Sequence, residues 1–122
     1  MNLSSIKKLL NKKITIDSFN EEVASELEKY SNLKMKKGSS LPIHIIEDIE
    51  TSITTNEIKV LLVLFIQKQI SDVTIEYICD CLIMAEDVTY DSKVSDILFN
   101  FSSPEINGTI TIDKAKKAIL GI

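Results

Sequence analysis

The fold is decided by residues 54–69, which read TTNEIKVLLVLFIQKQ. Thr54 and Glu57 have the spacing of a capping box, in which each side chain satisfies the other residue's backbone N–H at the start of a helix. Behind them, apolar residues occupy almost every position down to Ile66, and a helix that is apolar nearly all round is buried nearly all round. We therefore predict a central helix over residues 55–69, with the other helices packed about it.

Helical periodicity and end signals predict six further helices on both sides of this stretch. They cover residues 3–11, 18–31, 41–52, 72–86, 91–101 and 112–120. Asp91 and Thr111 are the predicted caps of the last two. Residues 34–40 read KMKKGSS, and we expect them to form a polar, mobile loop. Residues 41–46 are rich in β-branched side chains, so a strand there is the alternative to a helix. The prediction is one all-α domain over residues 1–122, a compact bundle of about six to seven short helices.

The composition fits such a domain in a reducing compartment. The chain has 122 residues, 44% of them hydrophobic, with only 3 Gly and 2 Pro, which does not suit the frequent turns of a β-sandwich. The longest apolar stretch, residues 60–66, is too short to span a bilayer, and the first residues lack the apolar core of a signal peptide. Cys79 and Cys81, two residues apart on a helix, cannot bond each other. We expect a cytoplasmic protein without a membrane partner.

Residue types that carry catalysis or bind cofactors are sparse. His44 is the only histidine, so neither a metal cluster nor a nucleophile with its base can be built around it. The three glycines are isolated, which excludes a phosphate-binding loop. Residues 103–114 imitate a calcium loop around Gly108, but Lys114 stands where a bidentate glutamate is needed. We therefore predict no catalytic residue, no metal and no cofactor, and that the chain is not an enzyme.

Charge is distributed unevenly along the chain. Residues 1–43 hold eight lysines and five acids, residues 44–106 hold three lysines and twelve acids, and residues 107–122 hold three lysines and one acid. All basic residues are lysines, whereas bidentate reading of phosphate or guanine usually uses arginine. The acidic middle is expected to repel nucleic acid and attract a basic protein, although an ordinary solvated surface is the alternative.

Within that middle, Asp72, Glu76 and Asp80 recur every four residues on what we expect to be the outer face of the helix over residues 72–86. Like charges at this spacing cost a helix about 0.2–0.5 kcal/mol per pair, which suggests that the negative field is used. We predict that this face docks a basic surface, with Glu50 adding to the field. The predicted partner-binding residues are Asp72, Glu76, Asp80, Asp87, Asp91, Glu47 and Asp48.

Residues 77–111 read YICDCLIMAEDVTYDSKVSDILFNFSSPEINGTIT. The YICDCLIM helix, the DVTYDSKV link and the SPEINGTIT segment resemble small acidic immunity proteins of bacterial polymorphic toxin systems, including contact-dependent growth inhibition. The resemblance covers residues 54–122. It implies a cytoplasmic protein that binds one cognate toxin domain, often a basic nuclease, and blocks its active site or substrate surface. It transfers no residue roles, so the acidic residues above rest on charge and spacing.

Two other functions remain open from the sequence. A helical adaptor or regulatory domain, self-associating or binding another protein, would use a groove left by the apolar hub. A nucleic-acid binder would use the basic first helix and residues 34–37, against the charge of the remaining chain. The sequence does not fix the oligomeric state.

Overall fold

The computed structural model describes residues 1–34 and 43–122. In this part of the chain the helices are α1 (Leu3–Leu10), α2 (Ile16–Lys34), α3 (Thr55–Ile66), α4 (Asp72–Met84), α5 (Ser92–Asn100), α6 (Pro104–Asn107) and α7 (Ile112–Leu120). Two short strands, β1 (Thr51–Ser52) and β2 (Val88–Thr89), pair in parallel. The predicted all-α class is confirmed, and the strand pair is a small addition to it. None of the described helices combines the length and the apolar character needed to cross a bilayer.

Side-chain caps fix where the later helices begin. The predicted capping box of α3 is confirmed, because Thr54 Oγ1 accepts from the Glu57 N–H at 3.2 Å and Glu57 Oε1 accepts from the Thr54 N–H at 3.0 Å. The predicted caps of α5 and α7, Asp91 and Thr111, are also confirmed, since each accepts a backbone N–H in the first turn.

The second helix begins earlier and ends later than predicted. Thr15 Oγ1 accepts the Ser18 N–H at 3.1 Å, so the cap lies three residues before the predicted start of the helix at residue 18. The helix then continues to Lys34, the first residue of the predicted polar loop. The remainder of that loop, residues 35–40, lies outside the described residues.

The helix predicted over residues 41–52 is wrong. Residues 41 and 42 lie outside the described part, and residues 43–50 contain no helix. Ile46 instead forms a single bridge to Asn2, and residues 51–52 form β1. Half-buried and exposed side chains alternate from residue 43 to residue 50, which is the period of extended chain. The isoleucines fit this period of two as well as they fit a helix, and tertiary packing selects the extended form.

The core has two central helices where one was predicted. Helix α3 packs against α1, α4, α5 and α7, as expected of a hub. It ends at Ile66, and the chain turns away at Lys68, which has φ +60°. Six of its twelve residues are buried, whereas Val63 is 37% exposed. In α4, eight of the thirteen residues are buried, so α4 is the more enclosed helix.

The calcium-like segment is closed by a lysine ammonium. Lys114 Nζ donates to the carbonyl oxygens of Asn100 and Asn107, the latter at 3.1 Å, and lies 5.2 Å from the centre of the Phe101 ring. Partial burial lowers the pKa of Lys114. Lys114 thus stands where a calcium loop has its glutamate, and its own ammonium is the cation that these carbonyl oxygens bind.

Candidate functional site

The face of α4 that carries Asp72, Glu76 and Asp80 is not an outer face. Helix α2 packs on α4, and Glu76 is only 1% exposed. Its Oε2 accepts a hydrogen bond from the Tyr30 hydroxyl at 2.5 Å, and Asp80 Oδ2 lies 3.4 Å from the same hydroxyl. Asp80 is half-buried, and Asp72 alone of the three is exposed. The prediction of an exposed acidic stripe on this helix is therefore wrong.

The contact between α2 and α4 is a tyrosine–carboxylate seam, which we define as Glu26 and Tyr30 of α2 with Glu76 and Tyr77 of α4. The Tyr77 hydroxyl donates to Glu26, as the Tyr30 hydroxyl donates to Glu76. The two tyrosine rings meet edge to face with centroids 5.0 Å apart. Burial, followed by the hydrogen bond to the carboxylate, raises the pKa of both tyrosines. Carboxylates in this seam hold two helices together.

The seam also fixes two segments that lie outside the helices. The Met1 ammonium lies 2.6 Å from Glu26 Oε1 and donates to the His44 carbonyl oxygen at 2.7 Å. The His44 N–H in turn donates to the Tyr77 hydroxyl oxygen at 3.0 Å. His44 therefore contributes backbone groups to the seam while its side chain is exposed.

The two cysteines lie in the core. Cys79 and Cys81 are both fully buried, and each is a free thiol. Burial raises the pKa of both thiols, that of Cys81 to about 12. Because the thiolate is the nucleophilic form, thiols with such pKa values are unreactive at neutral pH.

An acidic surface does exist elsewhere, on the two segments joined by the β1–β2 pair. We call Glu47, Glu50, Glu86 and Asp87 the acidic edge. Glu47 Oε1 accepts the Asp87 N–H at 2.7 Å. A shallow depression of about 380 Å³ is lined by the other three carboxylates together with two threonines of the strands. Two parallel strands thus bring together acids that lie forty residues apart in the sequence.

The acidic edge is open to solvent. Glu50, Glu86 and Asp87 are exposed, and Glu47 is half-buried. Among the side chains that the structure describes, ion pairs within 4 Å join Met1 to Glu26 and Lys7 to Glu57, and none involves the edge. Lys7 Nζ reaches β1, where it donates to the Ser52 carbonyl oxygen at 2.6 Å, but it pairs with Glu57 and not with the edge. Exposed carboxylates without an ion-pair partner produce a local negative potential that favours a cationic surface.

The remaining predicted site residues have local roles. Asp48 accepts the Ser4 N–H at 2.9 Å and also bonds the Ser4 hydroxyl, and these hydrogen bonds lower the pKa of Asp48. Asp91 caps α5 by accepting the Val94 N–H at 2.9 Å. Both residues are exposed, and both lie within four residues of an acid of the edge in the sequence.

Of the predicted set, the structure brings Glu47 and Asp87 together in the acidic edge. Glu50 joins them from the expected acidic region, while Glu86 was not among the predicted binding residues. The isoleucines at 43, 45 and 49 alternate with other residues, and this period of two is the sequence signal that could have predicted Glu50 on extended chain. Pairing with residues 88–89 has no comparable signal, because each strand is two residues long.

No match was found to a protein-family model, a curated protein or a solved structure. The resemblance of residues 54–122 to immunity proteins therefore remains a prediction made from the sequence. The acidic edge stands independently of that resemblance, since it rests on hydrogen bonds and exposure.

Proposed function

We propose that this chain is an immunity protein that binds and neutralises a cognate bacterial toxin domain, and that the acidic edge contacts a basic surface of the toxin. The observation that carries the proposal is the group of solvent-facing carboxylates joined by the β1–β2 pair. The resemblance of residues 54–122 supplies the class of partner, and the edge supplies a physical means of binding it.

The negative charge of the acidic edge would affect how fast the toxin binds and which partners are rejected. A negative patch accelerates encounter with a positive one and rejects wrong partners, and salt screens the effect over about 8–10 Å. If the toxin is a nuclease, its substrate surface is basic because it holds phosphates. The carboxylates of the edge would then occupy the place of the phosphate backbone and exclude the substrate.

The proposal assigns the chain no chemistry of its own. The thiols of Cys79 and Cys81 are buried and have raised pKa values. Among the described residues, no group of three histidine, cysteine, aspartate or glutamate side chains is placed to hold a metal ion. The proposed function is therefore binding, and the free thiols of Cys79 and Cys81 fit the reducing cytoplasm that we propose as its setting.

The test is co-expression with the product of the neighbouring gene in the source bacterium. We expect the wild-type chain to bind that product and to restore growth. The double variant Glu50→Lys/Glu86→Lys should slow association by about tenfold or more at low salt and lose protection, because the edge then repels a basic surface. The control Glu21→Lys/Glu28→Lys makes the same charge change on exposed positions of α2 and should behave as wild type.

Two results would count against different parts of the proposal. Unchanged binding and protection by the edge variant would remove the acidic edge from the contact. A neighbouring product that neither binds the chain nor is neutralised by it would remove the immunity function.

A second candidate function is a helical adaptor that binds or assembles proteins through an apolar surface. The exposure of Val63 on the otherwise apolar α3 favours it. Light scattering separates its self-associating form from the immunity protein, since a concentration-independent monomer excludes self-assembly as the function.

A further inference from the structure

An apolar groove runs along α3 on the side that its neighbours leave uncovered. Its second wall is the link between α1 and α2, and its volume is about 690 Å³. Ile14, Ile16, Val60 and Val63 contribute apolar side chains to it. Val63 is 37% exposed, although a helix that is apolar nearly all round is expected to be buried nearly all round. We call Val60 and Val63 the α3 strip.

The length of the groove matches a short helix. Asn56, Val60, Val63 and Gln67 line it at helical spacing, so it follows α3 from the first turn to the cap. Eleven residues of helix rise about 16 Å, which is the length of a three-turn helix lying alongside. Such a trough is typical of sites where an amphipathic helix inserts side chains at positions i, i+3 or i+4 and i+7.

The rim of the groove is basic. Lys12 and Lys13 stand on the link and Lys59 stands on α3, and no aspartate or glutamate is among the described residues that line the groove. Lys12 adopts φ +58°, where glycine is the favoured residue at a helix end. The chain therefore carries a cation at a position where its backbone is suited to glycine.

The charge selects among possible occupants. A two-fold contact between copies through this groove would place the same basic rim on both sides of the interface, which is unfavourable. A basic helix would meet the same repulsion. An acidic helix gains attraction from Lys12, Lys13 and Lys59 while its apolar side chains cover Val60 and Val63.

We propose that this groove docks an acidic amphipathic helix of a partner protein, about three turns long, with two or three apolar side chains on the α3 strip. The surface has the opposite charge to the acidic edge and uses none of its residues. The proposal does not depend on the immunity function.

The experiment uses the full chain and two pools of 14-residue amphipathic peptides. Both pools vary Leu, Ile, Phe and Met at the apolar positions; one has Asp and Glu at the flanking positions and the other has Lys. Peptides enriched on the wild-type chain are labelled, and their dissociation constants are measured by fluorescence anisotropy at low and high salt. Binding by dodecanoate alone and the molar mass of the free chain are measured in parallel.

We expect enrichment from the acidic pool only. Val63→Asp should weaken binding by about tenfold or more, because an apolar contact is lost and a like charge is added. Lys59→Glu should weaken binding and reduce its salt dependence. Leu120→Asp makes the same kind of change at a residue that is 86% exposed and outside the groove, so it should bind as wild type. Circular dichroism of each variant checks the fold.

Several results would overturn this proposal. They are no enrichment from the acidic pool, preference for the basic pool, or equal binding by Val63→Asp. A dimer broken by Val63→Asp without peptide binding would assign the groove to a second copy. Binding of dodecanoate but of no peptide would assign it to a small amphiphile. None of these results bears on toxin neutralisation, which is measured with the edge variants.

Discussion

Two groups of acidic residues in this chain, which the sequence does not distinguish, have different roles in the structure. In the tyrosine–carboxylate seam, Glu76 is 1% exposed and accepts a hydrogen bond from a buried tyrosine. In the acidic edge, Glu50 and Glu86 face solvent beside a two-residue strand pair. A buried carboxylate with a hydrogen-bond donor contributes to the fold, whereas an exposed carboxylate without a cation partner contributes to the field outside it. Negative charge in a sequence therefore indicates a docking surface only after burial is known.

The largest effect on stability is expected for Glu76→Lys. The change places an ammonium at a buried position against Tyr30, and we expect the free energy of unfolding to fall by about 3–5 kcal/mol. Urea denaturation followed by circular dichroism measures it. Glu28→Lys, an exposed change on α2, should stay within about 0.5 kcal/mol of wild type. Equal stabilities of the two variants would show that Glu76 is not buried in the seam.

A smaller change in the seam is Tyr30→Phe. It removes only the hydroxyl that donates to Glu76, and we expect a loss of about 1–3 kcal/mol because a buried carboxylate loses a donor. Tyr90→Phe, on a half-buried tyrosine next to β2, serves as the matched control and should cost less. A Tyr30→Phe variant as stable as the control would contradict the assigned hydrogen bond.

Glu57 of α3 is a carboxylate that joins its helix to α1 through Lys7. Glu57 lies 2.6 Å from Lys7 and accepts from Asn11 at 2.8 Å. Burial alone would raise its pKa, but the hydrogen bonds from Lys7, Thr54 and Asn11, with the lysine charge, lower it below the ordinary 4.5. The stabilisation is therefore present in full above pH 4.5 and is lost as the pH falls through the lowered folded value.

Chemical denaturation of wild type and Glu57→Gln between neutral and acidic pH checks this sign. The variant should be less stable by about 1 kcal/mol at neutral pH, and the difference should shrink as the pH falls. A difference that grows towards acidic pH would contradict the lowered pKa.

The smallest effect on stability is expected at the acidic edge. Glu50→Lys/Glu86→Lys should change the free energy of unfolding by no more than about 0.5 kcal/mol, because both side chains are exposed. Thermal and urea denaturation measure it, with Glu21→Lys/Glu28→Lys as the charge-matched control. A large loss of stability would place the edge among the structural carboxylates and weaken its assignment as a binding surface.

The helices were largely predictable because their determinants are local. The Thr54–Glu57 box and the Asp91 and Thr111 caps are found within four residues of the helices that they begin, and all three were identified from the sequence. The helix predicted over residues 41–52 was wrong because the isoleucines of residues 43–50 satisfy both helical and extended periods. Contacts with distant residues, such as the bridge from Ile46 to Asn2, decide between the two.

The candidate site was less predictable because it depends on contacts between distant segments. Asp72, Glu76 and Asp80 form a stripe in any helix, but whether α2 covers that stripe is a property of the packed structure. Tyr30 lies 46 residues from Glu76, and nothing in the local sequence of either residue announces the other. Likewise the edge forms only where residues 51–52 pair with residues 88–89.

Carboxylate labelling in the native protein tests the division of acids most directly. Carbodiimide coupling with glycine ethyl ester at neutral pH, followed by peptide mass spectrometry, reports how accessible each acid is. The structure predicts rapid labelling of Glu50, Glu86 and Asp87 and protection of Glu76 until the chain is unfolded in urea. Labelling of Glu76 at the rate of Glu86 in the folded chain would contradict the account.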